Sequence, residues 1–163
     1  MLQDILLYLL VFCLSFIPAL ESRFAIPFAA GLGLNLESSL IVVLLGNSLA
    51  IPIALLLVSL LDKFLLTTKN KTLRPISELY KKTSFRAAEK VRGRVEKFGY
   101  IGLSIFVAIP IPGSGIWTGA LAAQILRLSH KKTSAALLIG QVIAALLVFS
   151  MVKGILHVLP TLQ

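Results

Sequence analysis

Two apolar stretches decide most of what this chain can become: SSLIVVLLGNSLAIPIALLLVSLL at residues 38–61 and TSAALLIGQVIAALLVFSMVKGIL at residues 133–156. Crossing a hydrocarbon core of roughly 30 Å takes about 20 apolar residues in helix, and each stretch has that length. To bury both in water, a chain of 163 residues would need an interior it does not possess. The whole sequence is 57% hydrophobic, above the roughly 45–50% of soluble domains. The bilayer is therefore the expected solvent, and the predicted class is an all-α integral membrane protein. Asn35 and Ser129 stand where N-caps of the two long helices belong.

The other apolar pieces are too short to span. LQDILLYLLVFCLSFIP precedes a break at Pro18, and FAIPFAAGLGL follows Arg23; GYIGLSIFVAIPIP precedes GSG, and IWTGALAAQIL follows it. The first piece lacks a basic leader and a small-x-small cleavage site, so it is read as mature sequence. Apolar segments of about 10–14 residues point to re-entrant elements. The predicted organisation is a re-entrant hairpin (3–34) and a transmembrane helix (36–62), a basic amphipathic connection (63–97), then a second hairpin (98–128) and helix (131–157). Residues 1–62 and 98–163 form two repeats.

A shift of 94 residues aligns the halves without a gap. Pro18 meets Pro112, Phe12 meets Phe106, Gly46 meets Gly140, and Asn47 meets Gln141. Most of the net charge of +9 lies between Lys63 and Lys97, opposed there only by Glu78, Glu89 and Glu96. Flanked by membrane-grade sequence, this patch is expected to meet anionic headgroups rather than nucleic acid, and to be cytoplasmic. The hairpins then enter from opposite faces of the plasma (cytoplasmic) membrane, an inverted-topology repeat in a multi-pass protein with both termini outside. Ile76, Leu79, Tyr80, Ala87, Val91, Val95 and Phe98 recur at helical spacing among the cations, which predicts an amphipathic helix along the headgroups.

Glu21 and Arg23 fall at the predicted tip of the first hairpin, with Ser22 between them. A charge near the midplane costs about 2.5–3.5 kcal/mol on insertion scales unless a partner or water compensates. At i, i+2 spacing the two do not face each other on one helix, so each is expected to meet a different partner or a wet cavity. Two roles fit: substrate and proton binding, or a fixed ion pair tying hairpin to hairpin. At the other tip, Gly113 and Gly115 leave backbone N–H groups uncovered, Ser114 adds a donor, and a helix starting near Ile116 presents its positive end. That makes a natural anion site facing Arg23. Asn47 and Gln141 are expected to brace the hairpin tips. Trp117, at the repeat position of Arg23, is expected to stack on that arginine or on a cationic ligand, or else to pack.

Cys13 is the sole cysteine and His130 and His157 lie far apart, so neither a disulfide nor a metal cluster is expected. There is no Ser-His-Asp set and no phosphate loop. An enzyme is not expected, nor a cofactor.

PALESRFAIPFAAGLG, LLGN, FVAIPIPGSGIWTGALAAQILRL and GQ resemble the small multidrug export protein family over nearly the whole chain. The layout also resembles the wider DedA/VTT superfamily. That resemblance implies paired re-entrant hairpins and lipid translocation, with polyprenyl-phosphate carriers among the substrates and membrane carboxylates and arginines at work. Glu21 and Arg23 match that pattern. The second tip carries no arginine where several DedA proteins have one. The expected function is a proton-linked transporter or flippase for an amphipathic anion such as a lipid-linked phosphate. The alternatives are an exporter of lipophilic cations and a non-transporting membrane scaffold. Membrane lipids are the expected partners, and so small a wall around a path favours a homodimer.

Overall fold

The computed structural model describes residues 2–67 and 74–158; Lys69 and Lys71 of the basic connection lie outside the described residues. Among those described there are seven helices and no strand. In chain order they are α1 (Leu2–Phe16), α2 (Glu21–Gly31), α3 (Leu36–Thr67), α4 (Arg74–Phe98), α5 (Tyr100–Ala108), α6 (Ile116–Ile125) and α7 (His130–Val158).

Only α3 and α7 are long and apolar enough to cross a bilayer, over Leu36–Leu65 and His130–Val158, with mean hydropathies of 2.6 and 2.4. The Asn35 carboxamide accepts from the Ser38 N–H at 2.8 Å, capping α3 as its sequence position requires. Ser129 immediately precedes α7.

Helices α1 and α2 are separated by four residues, α5 and α6 by seven. Each break has a local cause. Pro18 cannot donate to the α1 ladder, and Ala19 (φ 73°) and Glu21 (φ 46°) then turn the chain through left-handed conformations. In the second break Ile109, preceding Pro110, is extended (ψ 117°) as residues before proline are. Gly113 takes φ 82°, which glycine adopts without a Cβ clash.

Alanines fill much of the interior beside larger core residues such as Ile26, Leu103 and Leu137, and many other large side chains point outward. Ala50, Ala54, Ala120, Ala136 and Ala144 are buried, whereas Ile41, Leu45, Leu56, Ile139, Met151 and Ile155 are exposed. A surface so apolar needs lipid or protein against it, and helices that pack through small residues are characteristic of bundles in lipid. The helices approach closely: a Cβ on Gly140 of α7 would stand 2.6 Å from the Ser104 carbonyl oxygen of α5. α3 packs on α6 and α7, and α7 also on α2 and α5.

The basic connection is helical from Arg74, as its periodicity predicts, and the face it packs on its neighbours is made mostly of small residues. Ser77, Ser84, Ala87, Ala88 and Val91 are buried, while Ile76, Leu79 and Phe98 are exposed. The cause is close approach. α4 doubles back along its neighbours: Ser77 Oγ donates to the Leu65 carbonyl at 2.8 Å, Tyr80 Oη to that of Val58 at 3.2 Å, and Gly102 of α5 abuts the Arg94 carbonyl. Only small side chains fit against helices this near, so α4 belongs to the body of the protein, packed on α5 and α6.

Candidate functional site

Glu21 and Arg23 are buried, their side chains 2% and 7% exposed, where the first break meets the second. Arg23 Nη1 donates to Glu21 Oε2 at 2.7 Å. This corrects the expectation that the two look apart. The i, i+2 rule applies inside a helix, and Glu21 lies at the first residue of α2 with a left-handed backbone. Its side chain is thereby swung back over the arginine. Such a conformation costs a non-glycine residue about 1–3 kcal/mol and persists where surrounding contacts enforce it.

Each member of the pair also reaches the second break. The Glu21 carboxylate lies against Gly115 at the start of α6, close to the backbone amides of Ile116 and Trp117. Gly115 makes room for it: a Cβ there would collide with both carboxylate oxygens. Arg23 Nη2 lies 3.1 Å from the carbonyl oxygens of Val107 and Ile109 and 3.0 Å from Ser114 Oγ. The Ser114 hydroxyl in turn donates into the Ile109 and Ile111 carbonyls, at 2.6 and 2.7 Å. The carboxylate thus sits at the positive end of α6 and the guanidinium at the negative end of α5, each where the helix dipole favours its charge. The helix start expected near Ile116 is present, and the chain's own carboxylate lies against it.

Three buried polar atoms around this centre have no protein partner: Ser22 Oγ, Arg23 Nε and Trp117 Nε1. Buried polar groups left unpaired cost about 1–3 kcal/mol each, so the centre holds hydrogen-bonding capacity that the protein itself does not satisfy. Trp117 does not stack on Arg23. Its ring meets Phe16 edge-on, 6.3 Å between centroids at 77°, because the guanidinium's hydrogen-bonding groups are held by Glu21 and the end of α5.

Asn47 and Gln141 are fully buried but do not brace the tips. Asn47 Nδ2 donates to Gln141 Oε1 at 3.2 Å, and Gln141 Nε2 to Ser48 Oγ at 3.4 Å. They join the middles of α3 and α7, since those helices pack directly on each other and bring the two carboxamides together. Sequence reasoning missed the α5 carbonyls that hold Arg23, which carry no side-chain signal. It also missed Arg86, Lys90 and Arg94, which line cavities at the second break. Their four-residue spacing along one helix face was the available signal. No group of metal-ligating side chains occurs among the described residues.

A family model described as "Putative small multi-drug export protein" matches residues 21–147. No curated protein and no solved structure matches the chain.

Proposed function

We propose that this chain, which belongs to the small multi-drug export protein family, is a proton-linked membrane transporter or flippase whose exchange centre is the Glu21–Arg23 pair and whose substrate is an amphipathic anion. The single observation behind this is that a carboxylate already sits where an oxyanion would, bonded to the Arg23 donor and lying at the N-terminal amides of α6. A substrate phosphate or carboxylate needs the same donors, with Ser114 beside them. Glu21 and substrate therefore compete. Protonating Glu21 removes its charge, weakens its hold on Arg23 and α6, and frees the donors for the substrate; loss of that proton returns the carboxylate and expels the anion. Proton and substrate are coupled because one site holds one negative charge at a time. Ser22 and Trp117, with unpartnered polar atoms at the centre, contact water or substrate, and Gly113 and Gly115 shape the turn.

The architecture in this reading is an inverted repeat of two re-entrant hairpins, DedA-like, with the basic connection cytoplasmic and both termini outside. Three correspondences at the 94-residue shift support it. Leu36 and His130 begin the long helices. Gly46 and Gly140 each adjoin the first helix of their own half. Asn47 and Gln141 hydrogen-bond to each other, as equivalent residues on a pseudo-two-fold axis do.

The family description favours a second reading, export of lipophilic cations with Glu21 as counter-charge. Proteoliposomes separate the two, using fluorescent phosphatidic acid and ethidium as probes under an imposed pH gradient. For an anion, Arg23→Gln abolishes phosphatidic acid transport and Glu21→Gln removes only its pH dependence. For a cation, Glu21→Gln abolishes ethidium transport and Arg23→Gln is tolerated. Wild-type rates in both variants defeat either mechanism, whereas transport of neither probe by the wild-type protein leaves a scaffold. Native mass spectrometry of the purified protein would identify a retained lipid and report whether it is a dimer.

A further inference from the structure

The second break is flanked by charge that the exchange centre does not use. A cavity of about 240 Å³ lies between α4 and the α5–α6 break, lined by Lys90, Arg94, Phe106, Ile109, Ile111, Pro112, Gly113 and Ser114. A second, of about 190 Å³, shares Lys90 and Gly113 with it and adds Arg86. No carboxylate lines either one. Arg86, Lys90 and Arg94 follow at intervals of four, so one face of α4 turns all three cations toward the break. The Lys90 ammonium stands 3.7 Å from where a Cβ of Gly113 would be, so glycine leaves the approach to it open. Arg94 Nη1 donates to the Lys90 carbonyl at 3.1 Å, which holds its guanidinium back along the helix toward that lysine.

Cations gathered around a cavity without a counter-charge repel each other, and an anion relieves that repulsion. A phosphate suits it better than a carboxylate, because its several oxygens can accept from an ammonium and a guanidinium together. The remaining lining is apolar, and Ile101, Ile105 and Ile111 continue an exposed apolar surface beside it. We infer that the cavity between α4 and the second break binds a phosphate group through Lys90 and Arg94, with Arg86 at its second mouth. The apolar neighbours favour a lipid as its carrier. This site is separate from the Glu21–Arg23 centre and does not depend on the reading of that pair. Ser114, which lines the cavity and meets Arg23, stands between them.

The test uses the full chain in nanodiscs of phosphatidylcholine doped with phosphatidic acid, with retained lipid counted by native mass spectrometry. Lys90→Gln with Arg94→Gln is expected to lower phosphatidic acid retention about tenfold, since two charge-assisted contacts are lost. Arg92→Gln, on the same helix but outside both cavities, should lower it by less than about twofold. Lys90→Arg should keep most of it, and a cooperative melt for each variant checks folding. A parallel arm titrates inorganic phosphate into detergent-solubilised protein. Binding there that the double variant removes supports the site with a free phosphate as ligand, whereas lipid retention without it supports a headgroup. Retention unchanged in the double variant, or an equal loss in Arg92→Gln, overturns the proposal, because diffuse surface attraction would then account for it.

Discussion

The two breaks answer each other with opposite chemistry. The first is short and brings ionised side chains, Glu21 and Arg23, on a backbone bent left-handed at Ala19 and Glu21. The second is longer and brings backbone: the N-terminus of α6 against the carboxylate, and the carbonyls of Val107 and Ile109 for the guanidinium. Two tips both bearing charge would leave the charges to find water, and two tips of bare backbone would leave the dipoles unmet. Their difference is what allows a buried junction, since each supplies the counter-group the other lacks.

Removing one ion breaks this comparison most severely. Arg23→Met strands the Glu21 carboxylate and leaves the α5 carbonyls with one donor fewer, at an expected cost of about 3–5 kcal/mol. Glu21→Gln together with Arg23→Met should be less destabilised than Arg23→Met alone, because no lone charge stays buried. Equilibrium unfolding of the three variants in micelles measures it. Equal stability of the single and double variants would mean that the charges do not join the breaks.

A smaller effect separates the glycines of the second break. Gly115 has φ −86°, open to any residue, but its missing side chain makes the space for Glu21. Gly115→Ala should cost about 2–3 kcal/mol through overpacking and push the carboxylate off α6. Gly113 has φ 82°, and a Cβ there would make only an ordinary contact with the Lys90 ammonium at 3.7 Å, so Gly113→Ala should cost only about 1 kcal/mol, nearly all of it backbone strain. The reverse order, read from melting temperatures, would place the carboxylate away from Gly115.

The two long helices and both interruptions were legible from apolar runs and prolines. How the tips dock was not. The Glu21 turn is left-handed at a residue without the glycine that usually announces one, and the acceptors for Arg23 are carbonyls that every residue possesses. The contact of α4 with its neighbours was not legible either, because periodicity marks Ile76 and Leu79, whereas close helix contact buries Ser77 and Ser84.

The two long helices offer a milder contrast between the halves. On Gly140 a Cβ would meet the Ser104 carbonyl at 2.6 Å and Val107 Cβ at 2.8 Å, both fixed by α5. On Gly46 the first obstacle is the Ser15 hydroxyl, which can rotate away, and the Phe12 carbonyl stands farther off at 3.1 Å. Gly140→Ala is therefore expected to cost about 1–2 kcal/mol and Gly46→Ala less than about 1 kcal/mol. Matching losses would show that α1 is as unyielding against α3 as α5 is against α7.

The smallest effect lies where the halves touch as near equals. Asn47 donates to Gln141 but leaves its own Oδ1 without a protein partner, whereas Gln141 engages both ends, one of them through Ser48. Hydrogen bonds between membrane helices average about 0.6 kcal/mol. Asn47→Leu gives up one such bond and exchanges its own unmet oxygen for another, Gln141 Oε1, so its net cost should stay near that value. Gln141→Leu strands both polar atoms of Asn47 and should cost more, about 1–3 kcal/mol for the added unpaired donor. Replacing both residues leaves no polar atom of the pair and should return stability toward the wild type. If Asn47→Leu is instead the worse of the two, its oxygen is bound by water in lipid, and the α3–α7 contact is wet rather than a dry carboxamide pair.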